Sequence, residues 1–194
     1  MDTVPEEIKR SLRAALAHAD KDKAIQIIES NRLSANSIVD EQSQTSILLD
    51  AVNALSQFHG SVEQIAIVEF LLASGADPNS MTSEEYNSLH LALEHHNLSE
   101  VALLLITKGG ADVNAVESHG NSPLSIAIRE YRLTWRPEQE QLREIRFKIV
   151  EELLKRGADL DKQNQYGMSP RRWLERIDDQ KLLDLVGKYD KSNR

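Results

Sequence analysis

The fold expected of this 194-residue sequence is all-α: a solenoid of about five stacked helix-turn-helix units with short projecting fingers. Three observations predict it. An apolar segment closed by Gly-Ala-Asp occurs three times, at residues 67–79, 101–114 and 149–161. A second motif, led by Thr, Ser or Asn, alternates with it, beginning at Thr45, Asn87, Ser122 and Ser169. Aromatic residues make up only 5% of the chain, so the core must be aliphatic, which suits stacked helices better than a β-sandwich.

Each element has a local cause. Gly75, Gly110 and Gly157 each end an apolar helix, because glycine accepts the left-handed conformation of a helix stop. The Asp two residues on can bond the backbone of the turn that follows. Ser, Thr or Asn at the head of the second motif can cap the next helix, and Pro123 and Pro170 fit its first turn. Thr3 with Glu6, Ser61 with Gln64 and Asn97 with Glu100 have capping-box spacing. Residues 138–156 are rich in helix formers, with an apolar stripe of Leu142, Ile145, Ile149 and Leu153, and predict a long outer helix of about twenty residues.

The second motif resembles the T-P-L-H-x-A signature of ankyrin repeats. The resemblance covers about residues 5–190. It implies five repeats over about 5–40, 41–83, 84–118, 119–165 and 166–190, the first and last acting as caps of a single domain. Motif spacings of 42, 35 and 47 exceed the family's norm of about 33. The first excess falls near Phe58, His59 and Gly60, the second in residues 131–147. Ser43 and Glu85 stand where two later fingers carry Gly120 and Gly167.

Net charge is −8. No Lys or Arg occurs from Leu33 to Thr107, a window with ten acidic residues, whereas the C-terminal half is close to neutral. Such a field repels nucleic acid and attracts cationic surfaces. The chain has no cysteine, which removes disulfides and thiol chemistry. Residues 1–7 lack the features of a secretory leader, and the longest apolar run, Val101 to Ile106, is too short to cross a membrane. The expectation is a soluble, cytoplasmic monomer.

No nucleophile elbow, phosphate loop or dinucleotide glycine pattern occurs, and no cofactor is implied. His90, Glu94, His95 and His96 cluster in sequence, but not at the spacing of zinc enzymes. His90 falls on the ankyrin-motif histidine, for which the resemblance implies a structural bond to a neighbouring loop. The expectation is therefore a non-enzymatic module without metal. Its implied partner is another protein, bound on the concave side of inner helices and fingertips. The positions mapping there are Met81, Glu84 and Tyr86 on one finger, His119 and Tyr166 on later fingers, and Glu94, His95, Arg129 and Glu130 on inner helices. The insertion adds Tyr131, Arg132 and Trp135, with Trp135 and Tyr131 read as an apolar anchor beside an acidic face for a basic partner. Two function classes stay open at this point: a general adaptor or scaffold, or a dedicated inhibitor of immunity type that neutralises a basic toxin enzyme such as a nuclease.

The wrong spacing of the histidine cluster gives a direct check. Purified protein should melt at the same temperature with and without a chelator, and elemental analysis should find no stoichiometric zinc.

Overall fold

The computed structural model describes residues 4–54 and 58–190. Five helix pairs follow one another along the chain. They are α1 (Glu6–Ala17) with α2 (Lys21–Ser30), α3 (Ile47–Val52) with α4 (Val62–Ala73), α5 (Ser88–Glu94) with α6 (Ser99–Leu104), α7 (Pro123–Arg132) with α8 (Glu140–Lys155), and α9 (Pro170–Leu174) with α10 (Gln180–Tyr189). The first finger contains a two-stranded antiparallel ribbon, β1 (Ile38–Asp40) with β2 (Thr45–Ser46). Helices α1, α3, α5, α7 and α9 pack in one row and α2, α4, α6, α8 and α10 in a second. A continuous core of Leu, Ile, Val and Ala lies between the rows, including Leu12, Leu48, Val68, Leu89, Leu124 and Leu153.

One asparagine in each of three repeats ties that repeat to the next. Asn36 donates to the Gly75 carbonyl (3.0 Å) and accepts from the Asp77 amide (2.7 Å). Asn79 does the same with Gly110 (3.3 Å) and Asp112 (2.7 Å). Asn114 repeats it with Gly157 (3.3 Å) and Asp159 (2.8 Å). The fourth position is Asp161, which instead pairs with Arg171 at 2.6 Å. The ladder therefore closes on an ion pair at the C-terminal cap.

The helix starts follow the capping rule, with one slip. Asn87, Ser122 and Ser169 cap α5, α7 and α9. In the second repeat the cap is Ser46, not Thr45: both lie in β2, and α3 starts at Ile47, with the Ser46 hydroxyl accepting from the Leu49 amide. The finger turn shifts with it. Gln44, not Ser43, takes the left-handed conformation (φ 56°), matching Glu85 (57°), Gly120 (82°) and Gly167 (69°). Ser61 caps α4 as expected. Asn97 does not cap α6; it lies inside a turn, His96–Leu98, that leads straight into Ser99. Thr3 lies outside the described residues.

Both insertions are held by polar clamps. Gln64 is buried and donates to the Ala51 (3.1 Å) and Val52 (2.9 Å) carbonyls while accepting from the Gly60 amide (2.7 Å). A Cβ on Gly60 would stand 2.2 Å from the Asn97 carbonyl oxygen, so only glycine fits there. Part of this first insertion, residues 55–57, lies outside the described residues. In the second insertion a turn, Pro137–Gln139, runs directly into α8, so the outer helix is lengthened at its start as expected. The apolar segment ending at Gly110 holds one residue more than those ending at Gly75 and Gly157. A π-turn, Leu105–Gly109, absorbs it, with the Gly110 amide bonding the Leu105 carbonyl.

Asn79→Ala leaves a carbonyl and an amide without partners and should cost about 1–3 kcal/mol in urea unfolding. Glu85→Gly relieves a side chain held at positive φ and should instead raise stability by about 0.5–1 kcal/mol.

Candidate functional site

An open groove of about 610 Å³ lies between the first two fingers and the inner helices. Its lining includes Arg13 from α1, Leu49 and Asp50 from α3, Thr82, Glu84 and Tyr86 from the second finger, and Leu91 and Glu94 from α5. The second finger is shaped by Thr82, whose amide donates to the Tyr86 carbonyl (2.8 Å) and whose hydroxyl accepts from the Glu84 and Tyr86 amides. The Ser83 amide bonds the Ser43 carbonyl (2.9 Å), joining the first two fingers at the groove rim.

Carboxylates dominate the groove. Arg13 faces both Asp40 and Asp50 at 3.4 Å. Burial raises the Asp50 pKa above its ordinary value, and Arg13 opposes that rise. The Tyr86 hydroxyl donates to Glu94. Burial, followed by that bond, pushes the Tyr86 phenol well up, so it remains a neutral donor at any physiological pH. Glu94 also meets Arg129 (3.4 Å), which bonds Glu130 (3.2 Å), which in turn pairs with Arg146 (3.3 Å). Tyr86, Glu94 and the adjacent pair Arg129 and Glu130 thus form one chain of contacts from the second finger across α5 and α7 and, through Arg146, to α8.

Other expected positions lie elsewhere. Met81 is exposed on the second finger, and His95 is exposed just beyond α5, its ring 5.2 Å from His59. Tyr166 projects from the fourth finger, 71% exposed. Arg132 and Trp135 are exposed but do not line the groove. Tyr131 is a correction. It is 1% exposed, donates to Asp179 (2.6 Å) and lies under the Arg143 guanidinium. Residue 131 is the last inward-facing position of α7, so its ring enters the core and only Trp135 remains as an exposed aromatic of the insertion. Arg13 and Asp50 were not expected. Arg13 sits in a repeat without the motif, so nothing in the sequence sets its register.

His90 is buried and bonds the Ala115 carbonyl of the next finger (3.2 Å). Burial lowers its pKa, so it works as a neutral brace. Each finger thus rests on the repeat after it or before it, and the bonds run between loops rather than toward a ligand.

A family model of ankyrin repeats (three copies) matches residues 55–164, more than half of the chain. The chain belongs to the ankyrin-repeat family. The ankyrin-repeat fold is a protein–protein interaction module, and the groove lies on the face formed by its inner helices and fingers. Two relatives share part of it. ARF GTPase-activating protein Git of Drosophila melanogaster is 38% identical over 74 residues, which is 37% of this chain and 10% of that protein. Transient receptor potential cation channel subfamily A member 1 of Homo sapiens is 34% identical over 114 residues, 58% of this chain and 9% of that protein. The chain thus spans about a tenth of the length of these relatives. Among the described residues no helix is long and apolar enough to cross a membrane.

The third ankyrin finger is organised by a single buried carboxylate. Glu117 accepts from the His119 amide (2.8 Å), the Asn121 amide (2.9 Å) and the Asn121 side chain (2.6 Å), with His119 Nδ1 at 2.8 Å. Burial alone would raise its pKa; these bonds outweigh burial and hold it at about 2. A depressed carboxylate stabilises the fold above its unfolded pKa and loses that contribution as pH falls toward the folded value. Glu117→Gln should therefore cost about 1–3 kcal/mol at neutral pH. In paired thermal melts the gap to wild type should close between pH about 4.5 and about 2.

Proposed function

We propose that this chain is a non-enzymatic adaptor whose concave groove holds a basic segment of a partner protein. The observation that carries this reading is the groove itself, where Asp50, Glu84 and Glu94 face solvent-accessible space with Arg13 as the one cation in its lining. Arg13 is already engaged by Asp40 and Asp50, and Arg129 meets Glu94 from outside the groove, so Glu84 is the lining carboxylate without a cation. Leu49 and Leu91 supply an apolar floor, and Tyr86 offers a ring edge between the two. A Lys or Arg entering beside Glu84 meets carboxylates, while its aliphatic stem covers the leucines. Met81, His95 and, farther along, His119 and Tyr166 would form the polar rim.

The same acidity suits an inhibitor of immunity type, which would occlude the basic substrate face of a toxin enzyme such as a nuclease. The two readings share one surface and differ in whether the partner loses activity when bound.

The test is kinetic. A partner captured by crosslinking from the native host is immobilised, and association and dissociation are measured separately. Raising salt should slow association with little change in dissociation, since exposed charges are screened beyond roughly 8–10 Å. Glu84→Lys with Glu94→Lys should weaken binding at least about tenfold. Salt-insensitive association together with a silent double variant would end this reading. Stoichiometric loss of the partner's own enzymatic activity would select the inhibitor.

A further inference from the structure

Three exposed arginines of the C-terminal half, Arg132, Arg136 and Arg176, lie against the two tryptophans. The Arg132 guanidinium lies 5.4 Å from the centre of the Trp173 ring and that of Arg176 lies 5.7 Å from the same centre. Arg136 lies 5.4 Å from the Trp135 ring centre. Arg132, Leu133, Trp135 and Arg136 all lie within five residues from the end of α7 into the insertion, so the two arginine–tryptophan groups are joined by a short stretch of chain. Trp135 is 71% exposed and Leu133 51%. Among the described residues none of Arg132, Arg136 and Arg176 forms an ion pair, although Glu138 and Glu175 stand beside them in sequence.

We infer that this surface is a second docking site, for an acidic, carboxylate-bearing segment of a partner protein that carries an apolar residue to cover Leu133 and Trp135. A guanidinium lying against an aromatic face keeps its in-plane N–H groups free, and those N–H groups match a carboxylate in bidentate geometry. Arg132 and Arg176 flank one ring, so their like charges repel until an anion enters. Alternate side chains of one extended segment, spaced at a rise of about 3.3 Å per residue, lie on the same side and can reach both. Charge complementarity also fixes the direction of approach. The window from Leu33 to Thr107 holds ten acids and no Lys or Arg, so it repels an acidic segment that this end attracts. The inference goes beyond the groove reading, because none of these residues lines the groove.

The experiment uses the whole chain. A random dodecapeptide display library is selected against it, and individual clones are measured again on Arg132→Ala/Arg176→Ala, with thermal melts to match the folds. Both side chains are exposed, so this variant should melt with wild type. Trp135→Ala gives an independent second variant. The expected result is a class of clones that lose at least about tenfold in affinity on the arginine pair variant and also weaken on Trp135→Ala. These clones should carry Asp or Glu at alternate positions and keep their affinity for Glu84→Gln/Glu94→Gln, which separates this site from the groove. Absence of any clone that depends on the arginine pair overturns the inference, and so do dependent clones that are not acidic. Sedimentation of concentrated protein supplies a further arm. A self-associated species that the arginine pair variant abolishes would make a second copy of this chain the occupant, and the inference would fall.

Discussion

The stack stays in register through the amide side chains of Asn36, Asn79 and Asn114. Each repeats one pair of bonds, a donation to a glycine carbonyl and an acceptance from the amide two residues on, both in the following repeat. The groups satisfied are backbone groups of the loop just past each helix stop, which would otherwise need water. Because a single side chain makes both bonds, the spacing of successive loops is tied to the length of one residue. The aliphatic core between the helix rows is tolerant of rotation; the ladder is not. At Asp161 a carboxylate replaces the amide, and the link from the fourth repeat to the fifth becomes an ion pair with Arg171.

From this constraint the irregularities become intelligible. The ladder needs each loop glycine at a set height, yet the helix segment ending at Gly110 has one residue more than its counterparts. A π-turn takes up the excess inside the helix, upstream of the ladder, so the loop itself is unchanged. Likewise the long insertions sit between the helices of a pair, where Gln64, Arg143 and Arg146 clamp them. Neither interrupts the run from helix stop to asparagine.

Much of this was legible in the sequence. The Gly-Ala-Asp stops marked the outer helices, and Asn87, Ser122 and Ser169 marked inner ones. What misled was local. Thr45 and Ser46 are both good caps and both pair in β2, and the choice between them rests on where α3 starts, which neither residue's type fixes. Tyr131 read as surface because it stands at the edge of an insertion, but burial depends on which turn of α7 it closes and on Asp179, forty-eight residues away. Arg13 and Asp50 escaped notice because their pairing joins a repeat without the motif to one whose motif had been read one residue early.

Correcting that one-residue slip changes how the concave face reads. With Ser46, Asn87, Ser122 and Ser169 aligned as caps, the residue seven positions on is Asn53, Glu94, Arg129 and Arg176 in turn. One column of the inner helices therefore passes from neutral to acidic to basic along the stack. Its middle members neutralise each other across 3.4 Å, while Arg176 at the end lies against Trp173 instead. Ladder and column have the same period, because both are set by the cap-to-cap geometry of the repeat. The ladder makes every repeat alike and fixes their spacing. The column, free of that duty, varies, from neutral Asn53 through the Glu94–Arg129 pair to basic Arg176.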